Sequence, residues 1–391
     1  MILNINKIKF WILLNSLNIY LVLYVAKVYQ LPFANDNIRL ITTIILCTFA
    51  FFGIFEMVFI KQELSKVYSV FLGYFIFIFC MNIYLGQFNL TDLMTSLFFP
   101  IIFLSSYAIF KKNRSIDIIG EIKKNQFIML LVYFILYSFV RLVANVDYGM
   151  VTNSIYYQVL LFPFLLLIRK SSIRNIGIML VITSILFSMK RAAFIAIVVA
   201  LLVYLITQNS SSIKKQFSKT RKAITLAVLM IIIYIVNIFI SLFNDTNIFN
   251  RFESITDDGG SGRLEILSIM IYQIKTSGFY DVIFGHGVFT SSEVTGGFAS
   301  HNDFVEMLWS YGIGGLFIYL FIYGYLIHLA IKFIRNKYRY SAVFNASISL
   351  FFVLSLFSQL IFIPTYIGYL CLFWSFIISD YEKGFNKEEV I

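Results

Sequence analysis

The sequence predicts an all-α polytopic integral membrane protein, with about twelve transmembrane helices and one long extracytoplasmic loop that contains short helices. Of the 391 residues, 60% are hydrophobic and only 13% are charged, which leaves more apolar surface than a soluble domain could bury. Apolar runs of about 20 residues recur along the chain, and the small number of prolines favours helices over barrel strands. The third observation is an uneven distribution of basic residues among the loops.

Each apolar run is interpreted as one transmembrane helix. The twelve predicted spans are residues 10–29, 40–60, 67–86, 91–110, 126–146, 151–168, 175–189, 192–207, 223–243, 312–333, 342–362 and 364–379. An even number of spans places both termini on one side of the membrane, and the basic N-terminal segment makes that side cytoplasmic. We therefore expect a single membrane domain over residues 1–391, in which residues 244–302 form the long outer loop and part of the active site.

The net charge of +11 follows mostly from membrane topology and does not indicate a nucleic-acid partner. Of the 31 basic residues, 23 lie in the predicted cytoplasmic segments, at residues 7–9, 61–66, 111–124, 169–174, 214–222, 332–339 and 383–387. The other eight lie on the outer face or within the membrane, and they are the informative ones. They are Lys27, Arg39, Arg141, Lys190, Arg191, Arg251, Arg263 and Lys275.

Lys190 and Arg191 occupy the tip of a predicted hairpin. The apolar stretch from Ile176 to Thr207 has 32 residues, too many for one span and too few for two full ones. The tip should therefore stop below the outer lipid surface, where a charge is costly unless it faces water, a cavity or a counter-ion. We favour a cavity-facing site, and a snorkelling turn is the alternative. Arg141, near the outer end of the fifth span, either snorkels or joins the same cavity.

Arg263 opens a predicted amphipathic helix in the long outer loop. The apolar residues that follow it at helical spacing are Leu267, Met270, Ile271 and Ile274. Arg263 therefore lies on the apolar face, in the first turn, where free backbone amides and the helix dipole favour an anion. The alternative is an ion pair with an acidic neighbour, and the candidates are Asp257, Asp258 and Glu265.

Two of the three histidines lie farther along this loop. His286 stands between two glycines, in a predicted turn. His301 stands where the loop meets the next span, and Asn302 and Asp303 follow it. Side chains at such a junction are fixed yet reachable, so His301 is the candidate general base. Asp303 is expected to orient its imidazole and to raise its basicity.

The sequence lacks the common cofactor and metal motifs. It has no Walker loop, no dinucleotide-binding glycine fingerprint and no CxxC or HExxH pattern. No cofactor or metal is therefore expected. An enzyme on the outer face has neither ATP nor nucleotide sugars, so its substrate should carry its own activated leaving group.

The order of these features resembles the O-antigen polymerase and O-antigen ligase family of membrane glycosyltransferases. The resemblance rests on the arginine-tipped hairpin and on four short motifs, over roughly residues 176–335. The motifs are Ser261-Gly262-Arg263, Gly285-His286-Gly287, Ser300-His301-Asn302-Asp303 and Gly312-Ile313-Gly314-Gly315. The resemblance implies a GT-C-like fold in the inner (cytoplasmic) membrane of a bacterium.

The resemblance also implies a metal-independent, inverting enzyme that acts at the outer face on sugars linked to undecaprenyl diphosphate. By the same resemblance, the family's conserved arginines correspond to Arg191 and Arg263, its conserved histidine to His301, and its glycine turn to Gly285 and Gly287. The residues themselves add Arg141 and Lys190 as further candidates for binding the pyrophosphate, and His286, Asn302 and Asp303 as supporting residues, with His301 as the catalytic base. Arginine suits such a site because it binds phosphate oxygens bidentately and keeps its charge. The implied partners are lipid-linked oligosaccharides and membrane lipid, with a chain-length regulator and a flippase in the same pathway.

Several functions stay open at this point. A polymerase transfers the growing glycan to another lipid-linked repeat unit, whereas a ligase transfers it to lipid A core or another acceptor. We prefer the polymerase, because such chains are often rich in Ile, Phe, Lys and Asn, as this one is. A lipid-linked oligosaccharide flippase would have short loops on both faces and two similar halves, which the sequence does not show. A membrane acyltransferase would more often carry its histidine on or within a span.

Overall fold

The computed structural model describes residues 5–29, 31, 33–60, 64–87, 89–112, 115–143, 155–188, 190–211 and 262–388. Every regular element in this part of the chain is a helix, which confirms the all-α class. The helices are α1 (Ile5–Val28), α2 (Asp36–Phe55, continued by the π-helical turn Glu56–Ile60), α3 (Lys66–Tyr84), α4 (Leu90–Lys112), α5 (Ser115–Val143), α6 (Ile155–Val159), α7 (Phe162–Leu166), α8 (Ser171–Ser188), α9 (Arg191–Ser211), α10 (Arg263–Thr276), α11 (Phe279–Phe284), α12 (Ser291–Val294), α13 (Asp303–Arg335), α14 (Ser341–Phe357) and α15 (Pro364–Glu388).

Seven helices of the described segments are long and apolar enough to cross a membrane, and each corresponds to a predicted span. They are α1, α2, α3, α4, α8, α9 and α13. The described part of the predicted span 151–168 contains two short helices instead, α6 and α7. Pro163, which lacks a backbone N–H, lies in the first turn of α7, where such a loss is tolerated. The predicted span 223–243 lies outside the described residues. The count of twelve spans therefore stays a prediction.

Helices α4 and α15 pack against each other in the centre of the bundle, and both are buried along most of their length. A hydrogen bond joins Ser106 Oγ of α4 to Ser375 Oγ of α15, 2.6 Å apart. Beside it, the ring of Phe103 stacks on Phe71 of α3, with centroids 3.5 Å apart. Helices in lipid associate through close packing and polar contacts of this kind, since lipid tails are as apolar as the helices.

The predicted hairpin is formed by α8 and α9, with Lys190 at its tip. Helix α9 packs along α14 through a face of small residues. Ala193, Ala196 and Ala200 are fully buried on this face and let the two helix backbones approach closely. The hairpin tip is thereby held against the protein and does not stand alone in lipid.

Helix α13 begins at Asp303, earlier than the predicted span 312–333. Asn302 starts the helix by accepting hydrogen bonds from two backbone N–H groups of its first turn. Tyr311 and Gly312 have non-helical backbone angles, with φ of 64° at Gly312, so α13 consists of two pieces joined by a kink. The second piece corresponds to the predicted span. The first piece precedes the predicted span and carries the residues next to His301.

Candidate active site

His301 lies directly before the cap of α13. Its φ is 54°, in the left-handed region that residues other than glycine adopt rarely. Asn302 accepts hydrogen bonds from the N–H groups of Phe304 and Val305, at 3.0 and 3.1 Å, and donates to the Leu356 carbonyl at 3.3 Å. A strained backbone persists only where the surrounding structure enforces it, and it is concentrated at functional sites. Asn302 thus holds the segment from which the imidazole projects.

Asp303 does not orient that imidazole. Its buried carboxylate accepts hydrogen bonds from the Tyr319 hydroxyl at 2.9 Å and from the N–H groups of Leu360 and Ile361 at 2.6 and 3.1 Å. The prediction that Asp303 raises the basicity of His301 is therefore wrong. The carboxylate ties the start of α13 to the segment between α14 and α15 instead.

Lys190 lies against Tyr156 of α6, a residue that no sequence motif indicated. Its ammonium is 5.7 Å from the centre of the Tyr156 ring, within the range of a cation–π contact. Tyr156 is buried, and its hydroxyl accepts a hydrogen bond from Ser358 Oγ at 3.0 Å. The sequence could not single out this tyrosine, because it stands in an apolar stretch like many others.

The amphipathic helix predicted after Arg263 is confirmed as α10. Its buried side chains are Ile266 and Met270, which pack against Trp309 of α13. They follow Arg263 by three and seven residues, so Arg263 shares the face that α10 turns toward the protein. Ile271, predicted on this face, is 41% exposed, because the contact with α13 is narrower than the apolar stripe.

Arg263 approaches the hydroxyl of Tyr156, and its charge acts on the imidazole of His301. Glu265 is exposed, and in the described part of the chain no carboxylate forms an ion pair with Arg263. The other proposed acidic partners, at residues 257–258, lie outside the described residues. The described surroundings of the guanidinium are thus an aromatic hydroxyl and an imidazole.

Burial, together with the positive charges of Arg263 and Lys190, lowers the pKa of His301 to about 4. The imidazole is therefore neutral at neutral pH, which is the form that accepts a proton. The shift is opposite to the raised basicity predicted from Asp303, because the charges that act on this ring are cations. Residues from three separate segments of the sequence thus form one site.

The other two predicted cations are less fully described. Arg191 is the first residue of α9, directly after Lys190, and it is partly buried. Arg141 lies in α5, and its side chain is outside the part that the structure describes. Their contribution to the site stays a prediction.

The segment from Gly285 to Gly287 locks onto the kink of α13. The N–H groups of His286 and Gly287 donate to the carbonyls of Trp309 and Ser310, at 2.8 and 3.0 Å, where the helical ladder is interrupted. Gly285 has a φ of 84°, and a Cβ there would overlap the Ser310 carbonyl. Glycine is required on both grounds.

Two further glycines complete this lock. A Cβ at Gly287 would overlap the side-chain amide of Gln87, which pairs with the N–H of Val288 at 3.0 Å. A Cβ at Gly312, whose φ is 64°, would overlap the Ile283 carbonyl. The glycine turn therefore acts through its backbone, by fixing the segment after α11 to α13.

Fold and site together define a polytopic membrane protein in which the hairpin tip and the start of α10 bring two cations to a neutral histidine. Such a site can bind an anion beside a proton acceptor. Residues 176–320 match the model of the family described as O-Antigen ligase. The match includes Lys190, Arg263 and His301, and it confirms the resemblance to the O-antigen polymerase and ligase family over this segment.

No curated protein sequence matches the chain. The family match implies a membrane enzyme of the glycosyltransferase kind, of the ligase or polymerase type, with lipid-linked oligosaccharides as substrates.

Proposed function

We propose that this protein is an O-antigen or capsule polymerase of the bacterial inner membrane. It joins oligosaccharide repeat units that are linked to undecaprenyl diphosphate. The observation that carries the proposal is the convergence of Lys190, Arg263 and His301 near the buried Tyr156. The family match supports the class of reaction, and the chemistry of these side chains supports the division of roles among them.

In this proposal, Lys190 and Arg263 hold the diphosphate of the donor. Arg191 stands next to them in the sequence, and Arg141 is a further candidate. The diphosphate carries several negative charges, and a guanidinium binds its oxygens in pairs without losing its own charge. Negative charge on the leaving oxygen grows as the sugar–phosphate bond breaks. The cations therefore stabilise the transition state more than the bound substrate.

His301 acts as the general base. A hydroxyl of the acceptor sugar attacks the anomeric carbon of the donor and loses its proton to the neutral imidazole. The bond between the anomeric carbon and the phosphate oxygen breaks, and undecaprenyl diphosphate leaves with the bonding electrons. One displacement of this kind inverts the anomeric centre.

The pKa of His301 depends on whether the donor is bound, so donor binding should precede proton transfer. In the donor-free site, burial and the two cations lower that pKa to about 4. Bound diphosphate offsets the charges of Arg263 and Lys190, so it raises the pKa toward the ordinary value for histidine. A base is most effective when its pKa lies near the ambient pH. The imidazole thus becomes a better base once the donor has bound.

A ligase would use the same chemistry with lipid A core or another acceptor. The polymerase remains our proposal because of the composition of the chain. A flippase moves its cargo without forming a bond and has no use for a strained histidine beside two cations. A chain-length regulator and a flippase are expected as partners of the polymerase.

Reconstitution tests the proposal. The purified protein in proteoliposomes receives undecaprenyl-diphosphate-linked repeat units together with lipid A core as a second acceptor, and the products on each acceptor are read as a glycan ladder. His301→Ala should slow polymerisation by about a hundredfold to ten-thousandfold. His328→Ala, an exposed histidine elsewhere on α13, serves as the control and should leave the ladder intact. A full ladder from the His301→Ala protein would refute the proposal, and transfer to lipid A core alone would identify a ligase.

A further inference from the structure

A cleft of about 490 Å³ opens beside the C-terminal end of α10. Its walls come from α10, α11, α12 and the first piece of α13. The side chains that matter for its chemistry are Gln273, Ser277, Asp281, His286, Glu293 and Trp309. The volume falls in the range of small-molecule sites, about 300–1,000 Å³.

Helix α10 sets the distance between this cleft and the cationic site. Arg263 is its first residue, whereas Gln273 and Thr276 lie near its end and line the cleft. At 1.5 Å per residue, about 15–20 Å separate the two ends of the helix. One sugar ring cannot reach from one site to the other, so a molecule that occupies both must be an extended chain.

An aromatic pair forms one wall of the cleft. The ring of His286 lies on Trp309, with centroids 3.9 Å apart and an angle of 30° between the planes. Trp309 is fixed by a hydrogen bond from Nε1 to Thr290 Oγ1 at 2.9 Å, and His286 Nε2 is 3.1 Å from Ser277 Oγ. Burial lowers the pKa of His286, so the imidazole is uncharged at neutral pH. A fixed, uncharged aromatic surface suits the C–H face of a sugar ring.

Gln273, Asp281 and Glu293 supply polar groups that no other described side chain engages by a hydrogen bond or an ion pair. Carboxylates accept hydrogen bonds from hydroxyl groups, and the amide both donates and accepts. Gly278 leaves room for the Asp281 carboxylate, whose Oδ2 would lie 3.2 Å from a Cβ at that position. The cleft thus offers an aromatic wall with hydrogen-bonding groups around it, which matches a ligand rich in hydroxyls.

The charge of the cleft narrows the class of ligand. Asp281 and Glu293 are acidic, and no lysine or arginine lines the cleft. An acidic sugar is therefore disfavoured by repulsion, whereas a neutral sugar is not. A metal ion is a poorer fit, because the described residues contain no group of three or more His, Cys, Asp or Glu that could hold one.

We propose that the cleft binds uncharged sugars of the glycan being transferred, several residues away from the bond that is formed. The inference rests on the proposed function and adds to it a second subsite with its own charge preference. Sugars bound in the cleft hold the glycan at a second point, away from the diphosphate. This second contact helps to orient the reacting end of the glycan.

The test uses the full chain in lipid nanodiscs and a panel of neutral trisaccharides, with trigalacturonic acid as the acidic probe. Binding is followed by isothermal titration calorimetry. We expect neutral trisaccharides to bind, and trigalacturonic acid to bind at least about tenfold more weakly. The double variant Gln273→Ala/Asp281→Asn should weaken neutral binding at least about tenfold. Lys275→Ala, on the same helix outside the cleft, should leave it unchanged.

The inference is overturned if no neutral trisaccharide binds, if trigalacturonic acid binds equally well, or if the double variant binds like the wild type. His301→Ala separates this test from that of the proposed function, because it should slow transfer about a hundredfold or more and leave trisaccharide binding intact. If His301→Ala loses transfer as expected but no trisaccharide binds to the protein, the sugar-binding role of the cleft is refuted and the proposed chemistry is not. Full transfer by His301→Ala with normal trisaccharide binding would refute the proposed chemistry alone.

Discussion

The ammonium of Lys190 lies 5.7 Å from the centre of the Tyr156 ring, and this contact connects the hairpin tip to a short helix far away in the sequence. The same tyrosine meets Arg263 at its hydroxyl, where Ser358 also donates a hydrogen bond. One buried aromatic side chain therefore positions both cations that act on His301.

Two substitutions at Tyr156 should separate its ring from its hydroxyl. Tyr156→Phe keeps the ring beside Lys190 and loses the contact with Arg263, so the transfer rate should fall about tenfold. Tyr156→Leu loses the cation–π contact as well, so its transfer rate should fall by about a further three- to tenfold. Initial rates in proteoliposomes, corrected for the folded fraction, give the comparison. Equal rates for the two variants would show that the ring does not hold Lys190.

Arg263→Lys should lower kcat/KM about a hundredfold, or about 3 kcal/mol, because one ammonium cannot reproduce the paired contact with a diphosphate. Arg335→Lys makes the same chemical change at an exposed position at the end of α13, and its rate should be normal. If the Arg263→Lys protein also works at the normal rate, Arg263 is an interfacial residue and does not bind the donor.

The pH profiles of kcat/KM and kcat should have separate acid limbs. The profile of kcat/KM reports the donor-free enzyme, where the pKa of His301 is about 4. Because the base must be neutral, and is neutral above its pKa, kcat/KM should hold as the pH falls through 6.5 and decline only near 4. The profile of kcat reports the enzyme with donor bound, so its limb should lie at higher pH.

Initial rates at low and at saturating donor, from about pH 4 to 8, provide both profiles. Coincident limbs would mean that the diphosphate does not sit beside His301.

Asp303→Asn should destabilise the protein without moving either acid limb. An amide has one acceptor oxygen where the carboxylate has two, so contacts with Tyr319, Leu360 or Ile361 are lost. This loss should lower the free energy of unfolding by about 1–3 kcal/mol. Thermal unfolding in detergent measures this loss, and the pH profile measures any effect on His301. A shifted acid limb would show that Asp303 acts on the imidazole after all.

Gly285→Ala should prevent the segment from Gly285 to Gly287 from docking on α13. The new methyl group would overlap the Ser310 carbonyl, at a φ that alanine rarely adopts. Gly324→Ala is the matched control, since nothing lies within 4 Å of a Cβ there. It should be neutral or stabilising by up to about 1 kcal/mol. The melting temperatures of the two variants give the comparison. A normal melting temperature for Gly285→Ala would show that the contact between this segment and the kink of α13 does not require glycine.

Much of the fold could be predicted because lipid requires long apolar runs, and such runs are visible in a sequence. Interruptions were harder to foresee. Gly312 stands in a motif at the predicted start of the span, but its positive φ and its close contact with the Ile283 carbonyl of α11 follow from tertiary structure. Nothing local to residues 303–311 indicated that they are helical and yet separate from the span.

The sequence predicts the charged and titratable residues of the candidate site, but it does not predict the residues that position them. Lys190, Arg263 and His301 were marked by being charged or titratable in an otherwise apolar chain. Tyr156 carried no such mark. Asp303 is close to His301 in sequence, and this closeness suggests a contact that the structure does not show. The left-handed backbone at His301 and the helix cap at Asn302 turn the chain, so the Asp303 carboxylate points inward to the Leu360 N–H.

Asp303 is tied to Leu360 and Ile361, and Tyr156 is tied to Ser358, so residues made late in translation close both sides of the site. A nascent chain leaves the ribosome with its cations and histidine already synthesised but without the contacts that arrange them. We therefore expect the site to be completed only when the segment after α14 has been synthesised and has packed against α6 and α13.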